Sequence, residues 1–80
     1  MQVNVLLYAG LRSYAPEKPP GEPHVVECEQ GATARDVLAK LGVPTNASTI
    51  IIVNGERHSL DDPVEDGDRL AAFPMVGGGL

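Results

Sequence analysis

The chain has 80 residues, 42% of them hydrophobic, with eleven acids against six bases and a formal charge of −5. That length makes one domain near the lower limit for folding without metals or disulfides, and the apolar content is too high for a disordered chain. One cysteine, Cys28, excludes an intrachain disulfide and a Cys-rich metal or iron–sulfur site. No run approaches the roughly 18 to 20 apolar residues of a membrane span, and the acidic balance disfavours nucleic acid. The opening MQVNVLLYAG lacks a basic n-region and a small-residue cleavage site, so a reduced, soluble, cytoplasmic protein is the expectation.

In VNVLLY (3–8), Val3, Val5 and Leu7 alternate with Asn4 and Leu6, the period of a strand with one buried face. The turn-rich GLRSYAPEKPPGEP follows. LRSYAP has room for one short helical turn before Pro16, and the prolines at 19, 20 and 23 predict a surface loop. HVVECE (24–29) is a second alternating run, expected antiparallel to the first, with Val26 and Cys28 on one side and Glu27 and Glu29 on the other. Cys28 on that inner side reads as a small buried hydrophobe rather than a redox thiol.

The period then changes. In GATARDVLAKLGVP, Thr33 caps a helix and Asp36 answers it three residues later, while Ala34, Val37, Leu38 and Leu41 share one face. Gly42 supplies a left-handed stop and Pro44 prevents continuation. TIIIVNGERH contains four apolar β-formers, an Asn54-Gly55 pair suited to a type I′ turn, and a short return strand. That pair reads as a hairpin turn and nothing more. LDDPVEDGD is turn chemistry, in which Asp61, Asp62, Glu65, Asp66 and Asp68 read as solvated turn residues, the alternative being an acidic face that steers basic protein partners. RLAAF (69–73) is the last strand, closed by Pro74.

Two strands, one helix, then two or three strands give an α+β domain. A helix of about ten residues cannot hide its own apolar stripe, so it must pack across one face of a mixed four- to five-stranded sheet. With the first and last strands parallel neighbours at the centre, this is a β-grasp, or ubiquitin-like, roll. The division expected is a β-grasp domain over 1–76 and a flexible Gly-rich tail over 77–80. Val3, Val5, Leu7, Leu70 and Ala72 would face the helix. Leu6, Tyr8, Ala71 and Phe73 would face away and form an apolar partner patch, unless LRSYAP folds over and buries Tyr8.

Taken together, LLYAGLRSYAP, GATARDVLAKLG, IIVNGERH and DPVEDGDRLAAFPMVGGG resemble the MoaD/ThiS sulfur-carrier family from end to end. The most specific stretch is DGDRLAAFPMVGGG, similar to the family's Asp-Gly-Asp turn, last strand, proline and Gly-Gly ending. Length and the LRSYAP insertion favour the molybdopterin-synthase small subunit over the thiazole carrier. The resemblance implies a protein with no catalytic residues and no bound cofactor. An E1-like adenylating enzyme of the MoaB/MoeB/ThiF type uses ATP to activate the terminal glycine, here Gly79. Sulfur then replaces AMP to leave a thiocarboxylate, and an acceptor such as a molybdopterin synthase large subunit receives the Gly77-Gly78-Gly79 tail.

Glycine suits that task because a backbone without Cβ passes a channel that side chains would block. Ordering each tail residue costs on the order of 1–2 kcal/mol, so docking of the globular surface must offset it. Phe73, Pro74, Met75 and Val76, with Leu6 and Tyr8, are the candidate partner-binding residues. Leu80 departs from the family ending. A precursor trimmed by a peptidase, a residue left from expression, and loss of the carrier role each account for it. A thiamin-thiazole carrier, or a modifier conjugated through the same glycine, would share most of these features; a plain β-grasp binding module would not need the glycines. His24 and His58 lack ligand spacing, so no metal site is expected. Arg12 and Arg69 can pair with acids or guide a partner. No nucleophile set or phosphate loop stands out.

Overall fold

The computed structural model describes residues 1–19, 21–46 and 49–74. These residues form β1 (Gln2–Leu7), a 3₁₀ helix (Ala9–Tyr14), β2 (His24–Glu27), α1 (Ala34–Lys40), β3 (Ile50–Val53), β4 (Glu56–His58) and β5 (Arg69–Phe73). The sheet order is β2-β1-β5-β3-β4. The central pair, β1 and β5, is parallel, with Leu6 opposite Ala71, while β2, β3 and β4 pair antiparallel with their neighbours. This is the expected β-grasp roll, with three strands after the helix.

One core lies between the sheet and α1. Val3, Val5, Ile51, Leu70 and Ala72 from the sheet, and Ala34, Val37 and Leu38 from α1, are completely buried within it. β1 ends one residue earlier than the sequence pattern implies, because Tyr8 caps the 3₁₀ helix and its carbonyl accepts from the Leu11 amide at 3.1 Å. That helix sends Leu11, followed by Ala15, into the core, and so closes one end of it. Cys28 lies just past β2, and its amide still donates to the Met1 carbonyl at 2.8 Å; the thiol is buried, as expected of a small hydrophobe.

Both ends of α1 follow the local chemistry. The Thr33 hydroxyl accepts from the Asp36 amide at 3.2 Å and the Asp36 carboxylate accepts from the Thr33 amide at 3.0 Å, a complete capping box. The Thr33 backbone donor, then the Thr33 hydroxyl, holds the Asp36 carboxyl below its ordinary value. At the other end, Gly42 takes φ +76. Its amide donates to Ala39 and the Val43 amide donates to Leu38, the paired bonds of a Schellman motif. Two first-turn donors of α1 are satisfied from far away, since the Ala34 and Arg35 amides reach the carbonyls of Asp62 and Leu60. The 60–64 segment is therefore packed as well as turned: Leu60 and Val64 are buried core residues that a reading of turn chemistry misses.

Candidate functional site: the outer face of the sheet

Alternation along each strand puts every second side chain on the face away from α1. There the register builds two apolar rows. Leu6, Ala71, Ile52 and Arg57 lie side by side across four strands. Next to them, Phe73 pairs with Ile50 on one side. On the other, the Tyr8 ring stacks on Phe73 with centroids 4.4 Å apart and planes 8° from parallel. Leu6, Ile50, Ile52, Ala71 and Phe73 are half-buried, and Tyr8 is 39% exposed. LRSYAP thus turns its Leu11 and Ala15 to the core rather than folding over Tyr8. Pro74, also half-buried, follows Phe73 directly at the edge of this face.

The floor of the face is anchored by the turns beside it. Asn54 and Gly55 take φ +50 and +86, the left-handed pair of a type I′ turn. Asn54 does more than turn the chain. Its side-chain amide donates to Asp68 at 2.8 Å, its side-chain oxygen accepts from the Arg69 amide at 2.9 Å, and its own amide donates to the Arg69 carbonyl at 2.9 Å. This corrects the expectation of a hairpin turn alone: Asn54 fixes where β5 begins. The Asn–Gly dipeptide signals the turn, but only the fold brings Asp68 within reach.

The acidic stretch is likewise structural. Asp66 accepts from the Gln2 amide at 2.7 Å, Asp68 accepts from the Glu65 amide at 2.8 Å, and the Asp68 carbonyl accepts from the Asn4 amide. Asp61 pairs with Arg35 at 3.1 Å. Asp62 accepts from the Ser59 amide at 2.9 Å and lies 3.3 Å from His58 Nδ1. The Ser59 donor, followed by His58, holds the Asp62 carboxyl below its ordinary value. Rather than simply solvated turn residues, four of the five acids are tied into the turns that join the ends of β1, β4 and β5 to the rest of the fold. His24 and His58 lie on the two opposite edge strands. Among the described residues, no group of three or more His, Cys, Asp or Glu is placed to hold a metal ion. No helix among them is long and apolar enough to cross a membrane.

Of the expected site residues, the structure brings Leu6, Tyr8, Phe73 and Pro74 together on one face. Met75, Val76, Gly77, Gly78, Gly79 and Leu80 lie outside the described residues. Ile50 and Ile52 belong to the same apolar surface and were not singled out in the sequence. Their run of identical residues hides which ones face out, although alternation from a buried Ile51 would have identified them.

Residues 1–78 match the model of the Mut7-C ubiquitin family. The chain belongs to that family. Solved structures agree on the fold. SAMP1 from Haloferax volcanii matches with a TM-score of 0.73 and 24% identity, over 99% of this chain and 100% of that one. The putative molybdopterin converting factor subunit 1 from Pyrococcus furiosus matches with a TM-score of 0.70 and 26% identity, over 95% and 99%. A complex of subunits 1 and 2 of the molybdopterin-converting factor from Helicobacter pylori contains a chain similar to this one with a TM-score of 0.58 and 20% identity, over 99% and 100%. This member of the Mut7-C ubiquitin family is thus a ubiquitin-like, MoaD/ThiS-like protein, as the sequence resemblance implied.

Proposed function

We propose that the protein is a ubiquitin-like sulfur carrier that acts with partner enzymes and catalyses nothing alone. In this reading Leu80 is removed and the Gly79 carboxylate attacks the α-phosphorus of ATP on an E1-like adenylating enzyme, releasing pyrophosphate. A hydrosulfide equivalent then adds to the acyl carbon and AMP leaves, giving a thiocarboxylate. Its ionised sulfur is the nucleophile delivered to an acceptor, most simply a molybdopterin synthase large subunit. The observation that carries the reading is positional. β5, a central strand, ends at Phe73 beside an apolar face that nothing in the described residues covers. The sequence then runs through Pro74 into Gly77-Gly78-Gly79. The face can dock while the glycine backbone enters a narrow reaction centre, which is the division of labour such a carrier requires. The similarity to the Pyrococcus furiosus subunit supports molybdopterin as the destination.

Intact mass of untagged protein from its own host tests this. A species lacking Leu80, with one oxygen replaced by sulfur and a thiol-reagent adduct that does not map to Cys28, is the expected result. A species that keeps Leu80 and never gains sulfur beside an adenylating enzyme and ATP would overturn it. The likeness to SAMP1, whose name stands for small archaeal modifier protein 1, favours a second reading, conjugation through Gly79 to a target amine. Lysine-linked conjugates of raised mass, without thiocarboxylate, would select that reading.

A further inference from the structure

From the charges on the outer face we infer the chemistry of the partner that docks there: an apolar protuberance flanked by two carboxylates, received by Arg57 and Arg69. The inference rests on the docking part of the proposed function, that this face meets a protein, and on none of its sulfur chemistry. The chain is acidic overall, with six cationic side chains. Lys18 pairs with Glu22 and Arg35 with Asp61. Among the described residues the other four, Arg12, Lys40, Arg57 and Arg69, have no ion-pair partner, and of these the strand register places Arg57 and Arg69, both exposed, on this face. Among the described strand residues, the one carboxylate on the same face is Glu27, at the far edge on β2, where it accepts from the Gln2 side-chain amide at 2.6 Å; the Asp68 carboxylate beside the face is occupied by the Asn54 side-chain amide at 2.8 Å. A net-negative molecule thus carries two unpaired cations at the margin of its apolar docking surface.

The register gives the spacing. Arg57 ends the row that begins Leu6, Ala71, Ile52, and Arg69 stands two residues before Ala71 on β5. With strands about 4.8 Å apart and about 3.3 Å of rise per residue, the two arginines root about 12 Å apart, on either side of Ile52 and Ala71. A shallow depression of about 470 Å³, lined by Leu6, Asn54, Gly55, Arg69, Leu70 and Ala71, adjoins Arg69 on this surface, while Arg57 stands across Ile52 from Ala71. An apolar group laid across Ile52 and Ala71 brings carboxylates on its two flanks to the guanidinium groups, whose planar forks favour bidentate carboxylate over other anions. Two isolated cations among branched apolar side chains form no track for a phosphate backbone, so a protein surface fits and nucleic acid does not.

The probe is a capped amphipathic helical peptide with leucine and phenylalanine on one stripe and two glutamates two turns apart, about 11 Å. It is titrated into the full ¹⁵N-labelled chain, alongside versions in which both glutamates are glutamine or lysine. The expected result is shift changes centred on Leu6, Ile52, Arg57, Arg69 and Ala71, with binding roughly fivefold weaker for the glutamine version. A doubly reversed chain, Arg57→Glu with Arg69→Glu, should lose the glutamate peptide and take the lysine peptide, with an unchanged melting temperature showing that it still folds. Equal binding of the glutamate and glutamine peptides, shifts centred elsewhere, or no binding would overturn the proposal. So would the same shifts on raising chain concentration without peptide, which would mean a second copy occupies the face. A chain that binds the glutamate peptide yet never acquires sulfur loses the carrier reading and keeps this surface. One that acquires sulfur but ignores the peptide does the reverse.

Discussion

The two faces of the sheet use neighbouring residues of the same strands for opposite ends. On β5, Leu70 and Ala72 are completely buried against α1, whereas Ala71 and Phe73 between and after them are half-buried on a face with no covering layer among the described residues. On β3, Ile51 goes in while Ile50 and Ile52 stay out. Over β3 and the end of β5 both sides are apolar, so an apolar side chain alone does not make a core. What separates the faces is coverage: α1, the 3₁₀ helix and the 60–64 segment all bring apolar side chains to one side. The uncovered side keeps its apolar area available for association, where burial is worth about 25 cal/mol per Å² once ordering costs are met.

Truncation should break the equivalence of the two faces most sharply. Leu70→Ala leaves a cavity in the closed core and should cost about 2–5 kcal/mol in urea unfolding. A cost below about 1 kcal/mol would mean that the core is not closed over β5. Asn54 sharpens the comparison from the other direction, since it serves the outer face by holding the start of β5 rather than by packing. Asn54→Ala strands the Arg69 amide and places a methyl group at φ +50, and should cost about 1–2 kcal/mol. Asn54→Gly, which relieves the backbone but not the lost bonds, should cost less, and equal losses would assign the whole effect to the hydrogen bonds.

Phe73→Ala removes the Tyr8 stack, and should cost about 1 kcal/mol or less in stability while weakening the glutamate peptide less than the double arginine reversal, which should abolish its binding. A core-sized stability loss with unchanged binding would make Phe73 a packing residue. The smallest effect is pH. The Asp36 and Asp62 carboxyls, both held below the ordinary 3.8 in the folded chain, stabilise it above that value, and the contribution fades as pH falls through their lowered folded values. Midpoints of urea unfolding should therefore be flat from pH 7 to about 5 on account of these two groups and fall below about 4. Asp36→Asn should flatten part of that fall without altering peptide binding at pH 7, because the capping box touches neither the outer face nor its arginines.

Much of this was legible in the residues themselves. The Thr33–Asp36 box, the Gly42 stop, the Asn54-Gly55 turn and the alternation in β1 and β5 are local signals, each set by backbone sterics or hydrogen bonding within a few positions. They specify which elements form and, with strand order inferred from the crossover, the β-grasp roll. The apolar outer face was partly legible: Leu6, Tyr8 and Phe73 follow from alternation, but the isoleucine run conceals its outward members.

What the tertiary structure alone decided is everything that depends on residues far apart in the chain. Asp66 reaching Gln2, Asp68 reaching Asn54, and the Leu60 and Asp62 carbonyls reaching the first turn of α1 convert an apparently solvated acidic stretch into the fastenings of the fold. The same applies to charge. Six cations are visible in the sequence, but which find a carboxylate is a matter of distance, and a Coulomb interaction falls below thermal significance in water within about a nanometre. Local sterics fixed the elements; only the assembled sheet could leave Arg57 and Arg69 unpaired beside an uncovered apolar row.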